Sequence, residues 1–274
     1  MTNILVPLDG SRESECILPY LRSLGGRKDI GVSLLSINDP QFPFSSGSSY
    51  AQNWKERGVI VASQTEYLAG VARRLDLKQT SCWTVVGSLR QEVFRGAREQ
   101  GAQLIVMPFS GQAEEVVRVS PCPVLIVRPP VPQKSTFSHI LVPVDGSPES
   151  IRVCCQLELF TASETRVTLL TASGLTAQDE DYAIARGRQE NFMSRLQDEL
   201  RPICKEGFKL EIQIADGDVA QAILSYARAE GCDLIAMLHR PHSQIQSFLL
   251  GSITHTIVTE APCSVLLFSA ARAG

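Results

Sequence analysis

One eight-residue phrase occurs twice in this chain. Residues 4–11 read Ile-Leu-Val-Pro-Leu-Asp-Gly-Ser, and residues 140–147 repeat them with Val144 in place of Leu8. An apolar run that ends in Asp-Gly-Ser predicts a buried strand, a tight turn and a serine that caps the next helix. The repeat therefore predicts two copies of one domain, each of which begins with this unit.

The repeat continues along both halves of the chain. Residues 231–237 match residues 101–107 at an offset of 130, and residues 262–266 match residues 121–125 at an offset of 141. The second copy therefore has eleven additional residues between its fourth and fifth strands. We predict domains at residues 1–132 and 137–274, joined by a short linker that Pro129, Pro130 and Pro132 stiffen.

Apolar runs of strand length alternate with segments of helical periodicity in both halves. This alternation predicts an α/β protein with two tandem, doubly wound, Rossmann-like parallel sheets, each covered by helices on both faces. Right-handed crossovers place the carboxyl ends of the strands at one edge of each sheet, and ligands bind at that edge. In both halves this edge carries the Asp-Gly-Ser turn.

Composition excludes several classes of function. The net charge of −3 gives no basic footprint for nucleic acid, and no apolar run approaches the length of a membrane span. None of the eight cysteines forms a Cys-x-x-Cys pair, which indicates free, mostly buried thiols. His239 and His242 have no acidic or thiol partner at ligand spacing, so no metal site is predicted. We expect a cytoplasmic protein.

Catalytic motifs are absent from the sequence. Neither the phosphate-binding Gly-x-x-x-x-Gly-Lys-Ser/Thr loop nor the Gly-x-Ser-x-Gly nucleophile elbow occurs. No pair of carboxylates is placed to hold a metal ion, and no base is placed beside a nucleophile. The sequence therefore predicts a protein that is not an enzyme.

Three features together resemble the universal stress protein family: the two Val-Pro-x-Asp-Gly-Ser turns, the Pro-Cys-x-Val-Leu run before each last strand, and residues 249–253. The resemblance covers essentially the whole chain. It implies a five-stranded parallel sheet of the adenine-nucleotide-hydrolase-like type in each half. It also implies that the two domains pair through their last strands, Val124–Val127 and Val265–Phe268, and it leaves a homo-oligomer open.

Members of that family that bind ATP are similar in carrying Gly-x-x-Gly, nine residues, and then Gly-Ser or Gly-Thr. In the second domain the pattern falls on residues 238–252, where Gly251 and Ser252 are present but Leu238 and Pro241 replace the first two glycines. In the first domain the corresponding segment, residues 109–115, lacks Gly-Ser and carries two glutamates that would repel phosphate. The resemblance therefore implies at most one site, in the second domain, for ATP or another adenine nucleotide.

The resemblance also implies which residues would form that site. Adenine would lie against Pro143, Val144 and Asp145, with Ala172 at the end of the second strand, and Gly251, Ser252 and Ile253 would meet the phosphates. Leu238 would stand where the backbone approaches the nucleotide, and His239 could supply charge to the phosphates. Structural roles remain open for three of them. Asp145 is also suited to accept hydrogen bonds within its own turn, and His239 to a solvated loop. Gly251 fits inside an amphipathic helix, although we favour a helix that begins there and exposes its N–H groups.

Two functions follow from these observations. The first is a non-enzymatic stress-response or regulatory protein with one adenine-nucleotide site in its second domain. The alternative is a nucleotide-independent interaction protein that binds another small molecule or a protein partner. Leu238 adds a side chain where glycine would let the backbone approach a nucleotide, and Pro241 removes an N–H donor, so both favour the alternative.

Overall fold

Each half of the chain is built around a parallel β-sheet. A computed structural model describes residues 2–24, 29–39, 54–172, 174–175, 178–200, 208–239 and 251–269. The chain divides into two compact units, Met1–Val127 and Arg128–Gly274. Both units alternate strands and helices, as the sequence predicts.

In the first unit the sheet has the strand order β3-β2-β1-β4-β5, with parallel pairing throughout. The first strand therefore lies inside the sheet, between β2 and β4. The elements are β1 (Thr2–Pro7), α1 (Arg12–Glu15), α2 (Leu18–Ser23), β2 (Ile30–Asn38), α3 (Trp54–Leu75), β3 (Thr80–Val86), α4 (Leu89–Glu99), β4 (Leu104–Pro108), α5 (Ala113–Val119) and β5 (Val124–Val127).

The second unit repeats this order as β10-β9-β6-β7-β8, again with parallel pairing. Its elements are β6 (His139–Pro143), α6 (Pro148–Cys155), a 3-10 turn (Glu158–Phe160), β7 (Arg166–Ala172), α7 (Tyr182–Leu200), β8 (Lys209–Ala215), α8 (Val219–Ala229), β9 (Leu234–His239), α9 (Ser252–Glu260) and β10 (Ser264–Ser269).

The strand order confirms the doubly wound parallel fold and fixes the position of the ligand edge. The order reverses between β1 and β4 in the first unit and between β6 and β9 in the second. Side chains of these central strands are buried on both faces, which explains why their sequences are continuous apolar runs. The carboxyl ends of the two strands at each reversal point form a crevice. An Asp-Gly-Ser turn follows the first of these strands, β1 or β6, and therefore lies at the crevice.

Two helices of the first unit show how the position of a residue along or around a helix determines its role. Pro19 lies in the first turn of α2, where its missing N–H costs no helical hydrogen bond. On α4, Val93 and Ala97 are buried, whereas Phe94 is 39 % exposed. Residues 93 and 97 are one turn apart, whereas residue 94 lies about 100° further round the helix. Arg98 covers the Phe94 ring with its guanidinium group 5.7 Å from the centroid.

The described cysteines are all free, but they are less buried than the sequence predicts. Cys154, Cys232 and Cys263 are buried, whereas Cys82 and Cys155 are exposed because they lie on outward-facing positions of β3 and α6. Cys204 lies outside the described residues. Across the described part of the chain, no helix has both the length and the apolar content that a membrane crossing requires.

Candidate functional site

The Asp-Gly-Ser turn of the second unit is held by its own hydrogen bonds. The Asp145 carboxylate accepts from the backbone N–H of Ser147 (3.0 Å) and from its hydroxyl (2.6 Å). Ser147 in turn caps α6 by accepting from the N–H of Ser150 (3.2 Å). Gly146 has a φ of +86°, a left-handed conformation that glycine adopts without strain. The turn role that the sequence left open for Asp145 is therefore present.

The first unit builds the same turn at the same place. The Asp9 carboxylate accepts from the N–H of Ser11 (2.9 Å), and Ser11 caps α1 by accepting from the N–H of Ser14 (3.0 Å). Gly10 has a φ of +78°. Because both units share this geometry, the turn is a feature of the fold, and it does not by itself distinguish a binding unit from a non-binding one.

A cavity of about 380 Å³ opens at the carboxyl edge of the second sheet. It lies where β6, β7 and β9 end, beside α8 and the start of α9. Eight of the nine expected site residues line it: Pro143, Val144, Asp145, Ala172, Leu238, Gly251, Ser252 and Ile253. Residues from three strands and one helix start, separated by up to 110 positions in sequence, thus meet at one cavity.

The start of α9 supplies hydrogen-bond donors to this cavity. The helix begins at Ser252 with Gly251 as its cap, and the first bond inside the helix joins the N–H of His255 to the Gly251 carbonyl (2.9 Å). The N–H groups of residues 252–254 therefore have no acceptor within the helix. Together with the helix dipole they make a site of partial positive charge, suited to an anion.

His239 is the expected site residue that does not line the cavity. It ends β9, pairs with Ser269 of β10, and is 3 % exposed. Met237 and Leu238, the two residues before it on β9, line the cavity and His239 does not. A solvated loop position, the other possibility for His239, does not apply either. Arg240, Pro241 and His242 lie outside the described residues.

Six further residues line the cavity that sequence reasoning did not identify. Val219 and Ile223 are four apart on α8, and Leu170 precedes Ala172 by two positions on β7, so each pair shares one face of its element. That spacing was the signal that could have found them. The remaining three residues are Ser150, Met237 and Thr254.

The first unit has a smaller cavity, of about 230 Å³, at the equivalent edge. Asp9, Glu13 and Asp39 line it, and none of its lining residues is basic. Burial raises the pKa of Asp9, but hydrogen bonds from the Ser11 and Ser14 side chains outweigh that effect and hold the pKa below its ordinary value. The carboxylate is therefore charged at neutral pH and repels phosphate.

At the opposite edge of the second sheet, His139 is the centre of a buried polar cluster. Its Nε2 lies 2.9 Å from the Thr168 hydroxyl, and its Nδ1 lies 2.8 Å from an Arg166 nitrogen and 3.3 Å from the Glu230 carbonyl. The thiol of Cys232 is 3.4 Å from Nδ1. Burial, followed by the charge of Arg166, lowers the pKa of His139.

Within the described ranges, no group of three or more histidine, cysteine, aspartate or glutamate side chains is placed to hold a metal ion. Burial raises the pKa of Cys232 to about 12, so the neighbouring thiol is protonated and unreactive at neutral pH. The contacts of His139 join β6, β7 and the end of α8 within the second unit.

Comparison with known proteins identifies relatives of both units. The universal stress protein family matches residues 1–128 and again residues 136–269. Universal stress protein Slr1230 of Synechocystis is 25 % identical over 179 residues, which are 64 % of this chain and 57 % of that protein. Universal stress protein YxiE of Bacillus subtilis is 27 % identical over 145 residues, 48 % of this chain and 98 % of that protein.

The solved structures give the same fold. A universal stress protein from Archaeoglobus fulgidus superposes with a TM-score of 0.68 at 16 % identity, covering 97 % of this chain and 98 % of that one. At this identity the likeness concerns the fold alone. The chain spans just over half the length of the Synechocystis relative.

Proposed function

Because the chain belongs to the universal stress protein family, we propose that its second unit binds an adenine nucleotide and that its first unit does not. The observation that carries the proposal is the cavity at the carboxyl edge of the second sheet, where eight expected residues meet the open N-terminus of α9. Ligand occupancy would then act as the signal of a non-enzymatic stress-response protein.

The chemistry of the cavity fits the two ends of a nucleotide. Val144, Leu170 and Val219 give it apolar walls on which a flat base can lie. The N–H groups of residues 252–254 supply donors for a phosphate at the other end. The first cavity also has apolar walls, and Gln112, the cap of α5, lines it. It differs in charge, because three carboxylates line it and α5 carries Glu114 and Glu115 in its first turn.

The proposal does not include catalysis. Asp145 is the single carboxylate among the described residues that line the second cavity, and Ser147 already donates two hydrogen bonds to it. Hydrolysis of a phosphoanhydride needs an oriented water and usually a metal ion, and these lining residues hold neither a second carboxylate nor a basic side chain. We place the protein in the cytoplasm, a compartment that keeps thiols reduced, which suits the free cysteines among the described residues.

Thermal melting of the full chain with adenine compounds tests the proposal. A ligand that binds only the folded state at one hundred times its dissociation constant stabilises it by about 2.7 kcal/mol, so Tm should rise. Replacing Gly251 with valine and Ser252 with alanine together should abolish that rise. Gln112→Ala changes the equivalent helix cap of the first unit and is the control, in which the rise should persist.

Two results would contradict the proposal. One is an unchanged Tm with every adenine compound at millimolar concentration. The other is a rise that the double variant retains and Gln112→Ala removes, which would locate the ligand in the first unit.

A second candidate function is a nucleotide-independent interaction protein that binds another small molecule. The observation that favours it is Leu238, whose side chain forms part of the cavity wall where ATP-binding relatives are expected to have glycine. Native mass spectrometry of the protein as purified distinguishes the two functions. A retained apolar molecule without phosphate would support this second candidate, and a retained nucleotide would exclude it.

Pairing of the two units is a further part of the proposal. Strand β5 ends the sheet of the first unit and β10 ends that of the second, so each unit by itself presents an apolar edge strand that needs a partner. Cleavage of the chain within residues 129–135 should therefore make each half self-associate, as measured by light scattering. Two monodisperse monomers would contradict the pairing, and a doubled mass of the intact chain would indicate a homo-oligomer.

A further inference from the structure

The last turn of α9 is held by two arginine side chains. The carbonyls of Val258, Thr259 and Glu260 have no N–H donor within the helix. Arg128 donates from one guanidinium nitrogen to the first two, with 2.8 Å between that nitrogen and the Thr259 carbonyl. Arg228, in the last turn of α8, donates to the Glu260 carbonyl (3.2 Å). Both cations therefore lie at the negative end of the helix dipole, where positive charge stabilises a helix.

Arg128 differs from Arg228 in its position along the chain. It is the first residue of the second unit and follows Val127, the last residue of β5. Its backbone N–H donates to the hydroxyl of Ser264 (3.2 Å), a buried residue that begins β10. The linker is therefore attached, at its first residue, both to the end of α9 and to the strand that follows α9.

The first unit closes the equivalent helix end by a different means. Helix α5 is followed by Ser120, whose N–H donates to the Val116 carbonyl (2.9 Å) and whose hydroxyl donates to the Cys122 carbonyl (2.5 Å). These contacts come from the turn itself, whereas Arg128 reaches α9 from 130 positions earlier in the chain. The attachment through Arg128 thus belongs to the unit that has the larger cavity.

The two ends of α9 differ in how they are completed. At the start, Gly251 makes no side-chain cap bond, and residues 251–254 line the cavity. The helix has nine residues, and helices shorter than about 12 residues are marginal unless other contacts hold them. Because helix formation is cooperative, bonds at one end of so short a helix reduce fraying at the other. The bonds from Arg128 therefore favour the same helical state of α9 that forms the wall of the cavity.

We propose that Arg128 is a positioning residue for the second cavity and that, through it, the linker regulates the affinity of that cavity for its ligand. While Arg128 is attached, α9 is ordered to its first turn and the cavity wall is complete. When Arg128 detaches, the last turn loses its bonds, the helix frays and the affinity falls. The inference rests on the proposed function, because it concerns the ligand of the same cavity. It goes further by naming how binding there is regulated.

Isothermal titration of the full chain with ATP and with AMP, well below the melting temperature, tests the positioning role. Arg128→Gln should weaken the binding of whichever compound the unmodified chain takes by roughly fivefold to fiftyfold, the lower part of the range for coupling between two sites. Arg128→Lys keeps the charge and a nitrogen donor and should recover part of that affinity.

Arg22→Gln is the matched control. Arg22 donates to the Arg74 carbonyl (3.0 Å) in the last turn of α3, so this variant removes the same kind of bond at a helix end of the first unit. A lowered Tm in both variants, with affinity lost only in Arg128→Gln, would support the positioning role. Unchanged affinity in Arg128→Gln would overturn it and leave the proposed function intact. Absence of binding by the unmodified chain would overturn both.

Coupling between a ligand and a residue is reciprocal, and trypsin measures the reverse direction. A ligand that orders α9 should strengthen the attachment of Arg128 and slow cleavage of the linker after Lys134, which is exposed. Cleavage after Lys78, an exposed residue of the first unit, is the reference and should keep its rate. Protection of Lys134 that Arg128→Gln retains in full would overturn the inference.

Hydrogen exchange of the ligand-free chain tests the step between Arg128 and the cavity without any ligand. Peptides that cover α9 should exchange faster in Arg128→Gln than in the unmodified chain, because a frayed helix exposes its N–H groups. Peptides that cover α4, in the first unit, should exchange at the same rate in both. Unchanged exchange of α9 would overturn the inference and leave the proposed function intact.

Discussion

Replacing His139 with asparagine gives the second unit the side chain that the first unit uses at the equivalent position. In the first unit, the amide of Asn3 donates to the Gln100 carbonyl (2.6 Å) and accepts from the Ser33 hydroxyl (3.2 Å). In the second unit, His139 makes the corresponding contacts with Glu230 and Thr168. The equivalent position is therefore occupied by an amide in the first unit and by a titratable imidazole in the second, and each side chain contacts a backbone carbonyl and a hydroxyl.

The neighbours of His139 determine how its charge affects stability. His139 Nδ1 faces both Arg166, which can only donate, and the Glu230 carbonyl, which can only accept, so the two contacts favour opposite tautomers. In the tautomer that pairs with Arg166, the shorter contact, Nδ1 accepts and Nε2 donates to Thr168. Protonation would replace that acceptor with an N–H facing a guanidinium cation. Glu211, Glu230 and Asp233 act in the opposite direction, but burial and Arg166 outweigh them and lower the pKa of His139.

The sign of the pH dependence follows from this shift. Because the pKa is lower in the folded chain than its unfolded value of about 6.5, the unfolded chain binds the proton more readily. The stabilisation is complete above about pH 6.5 and is lost as the pH falls toward the folded pKa. One proton changes the free energy of unfolding by at most about 1.4 kcal/mol for each pH unit in that window.

Urea unfolding between pH 5 and pH 8 measures the effect. Circular dichroism follows the unfolding of the whole chain. Both tryptophans, Trp54 and Trp83, belong to the first unit, so tryptophan fluorescence follows that unit alone and is the internal reference for the second. The free energy of unfolding of the unmodified chain should exceed that of His139→Asn by an amount that decreases on acidification. When the same comparison is made in chains that carry Arg166→Gln, the decrease should be smaller. A difference that is constant with pH, or that increases in acid, would refute the reasoning.

Two further predictions concern a turn and the thiols. Gly146→Ala should destabilise the chain by about 1–2 kcal/mol in urea unfolding, because its φ of +86° strains any side chain although nothing lies closer than 3.9 Å to the added carbon. Gly187→Ala, within α7 and in open space, is the control and should stabilise by about 0.5–1 kcal/mol; equal effects would exclude backbone strain as the cause. Iodoacetamide followed by peptide mapping should label Cys155 in the folded chain and Cys232 only after unfolding, and early labelling of Cys232 would contradict its burial.

The parts of the fold that the sequence predicts well depend on local contacts. The hydrogen bonds of the Asp-Gly-Ser turn join residues at most three positions apart, so residues 145–150 specify the turn and the cap of α6 without help from elsewhere. Strand β5 likewise has the bounds predicted for it, because Pro123 and Pro129 flank a short apolar run. Repetition of these local signals was sufficient to predict the fold.

The parts of the site that the sequence misses depend on distant contacts and on helix phase. The sequence suggested a loop position for His239, but pairing with Ser269, thirty positions away, extends β9 through it, and its side chain is buried without lining the cavity. Thr254 was missed because the sequence alone did not show which side of the helix after Gly251 faces the sheet. The helix that contains Thr254 begins only at Ser252, which puts Thr254 on the buried side and Ile253 on the exposed side.

The interior position of the first strand in each sheet has a consequence for protein synthesis. The ribosome makes β1 first, yet the partner for one of its edges arrives only when Leu104 pairs beside Ile4, one hundred residues later. At translation rates of about 5–20 residues per second, that edge waits roughly 5–20 s. The second unit repeats the delay between Ile140 and Leu234. Twice during each round of translation, therefore, one edge of an apolar strand waits without its partner and is open to chaperones that bind nascent chains.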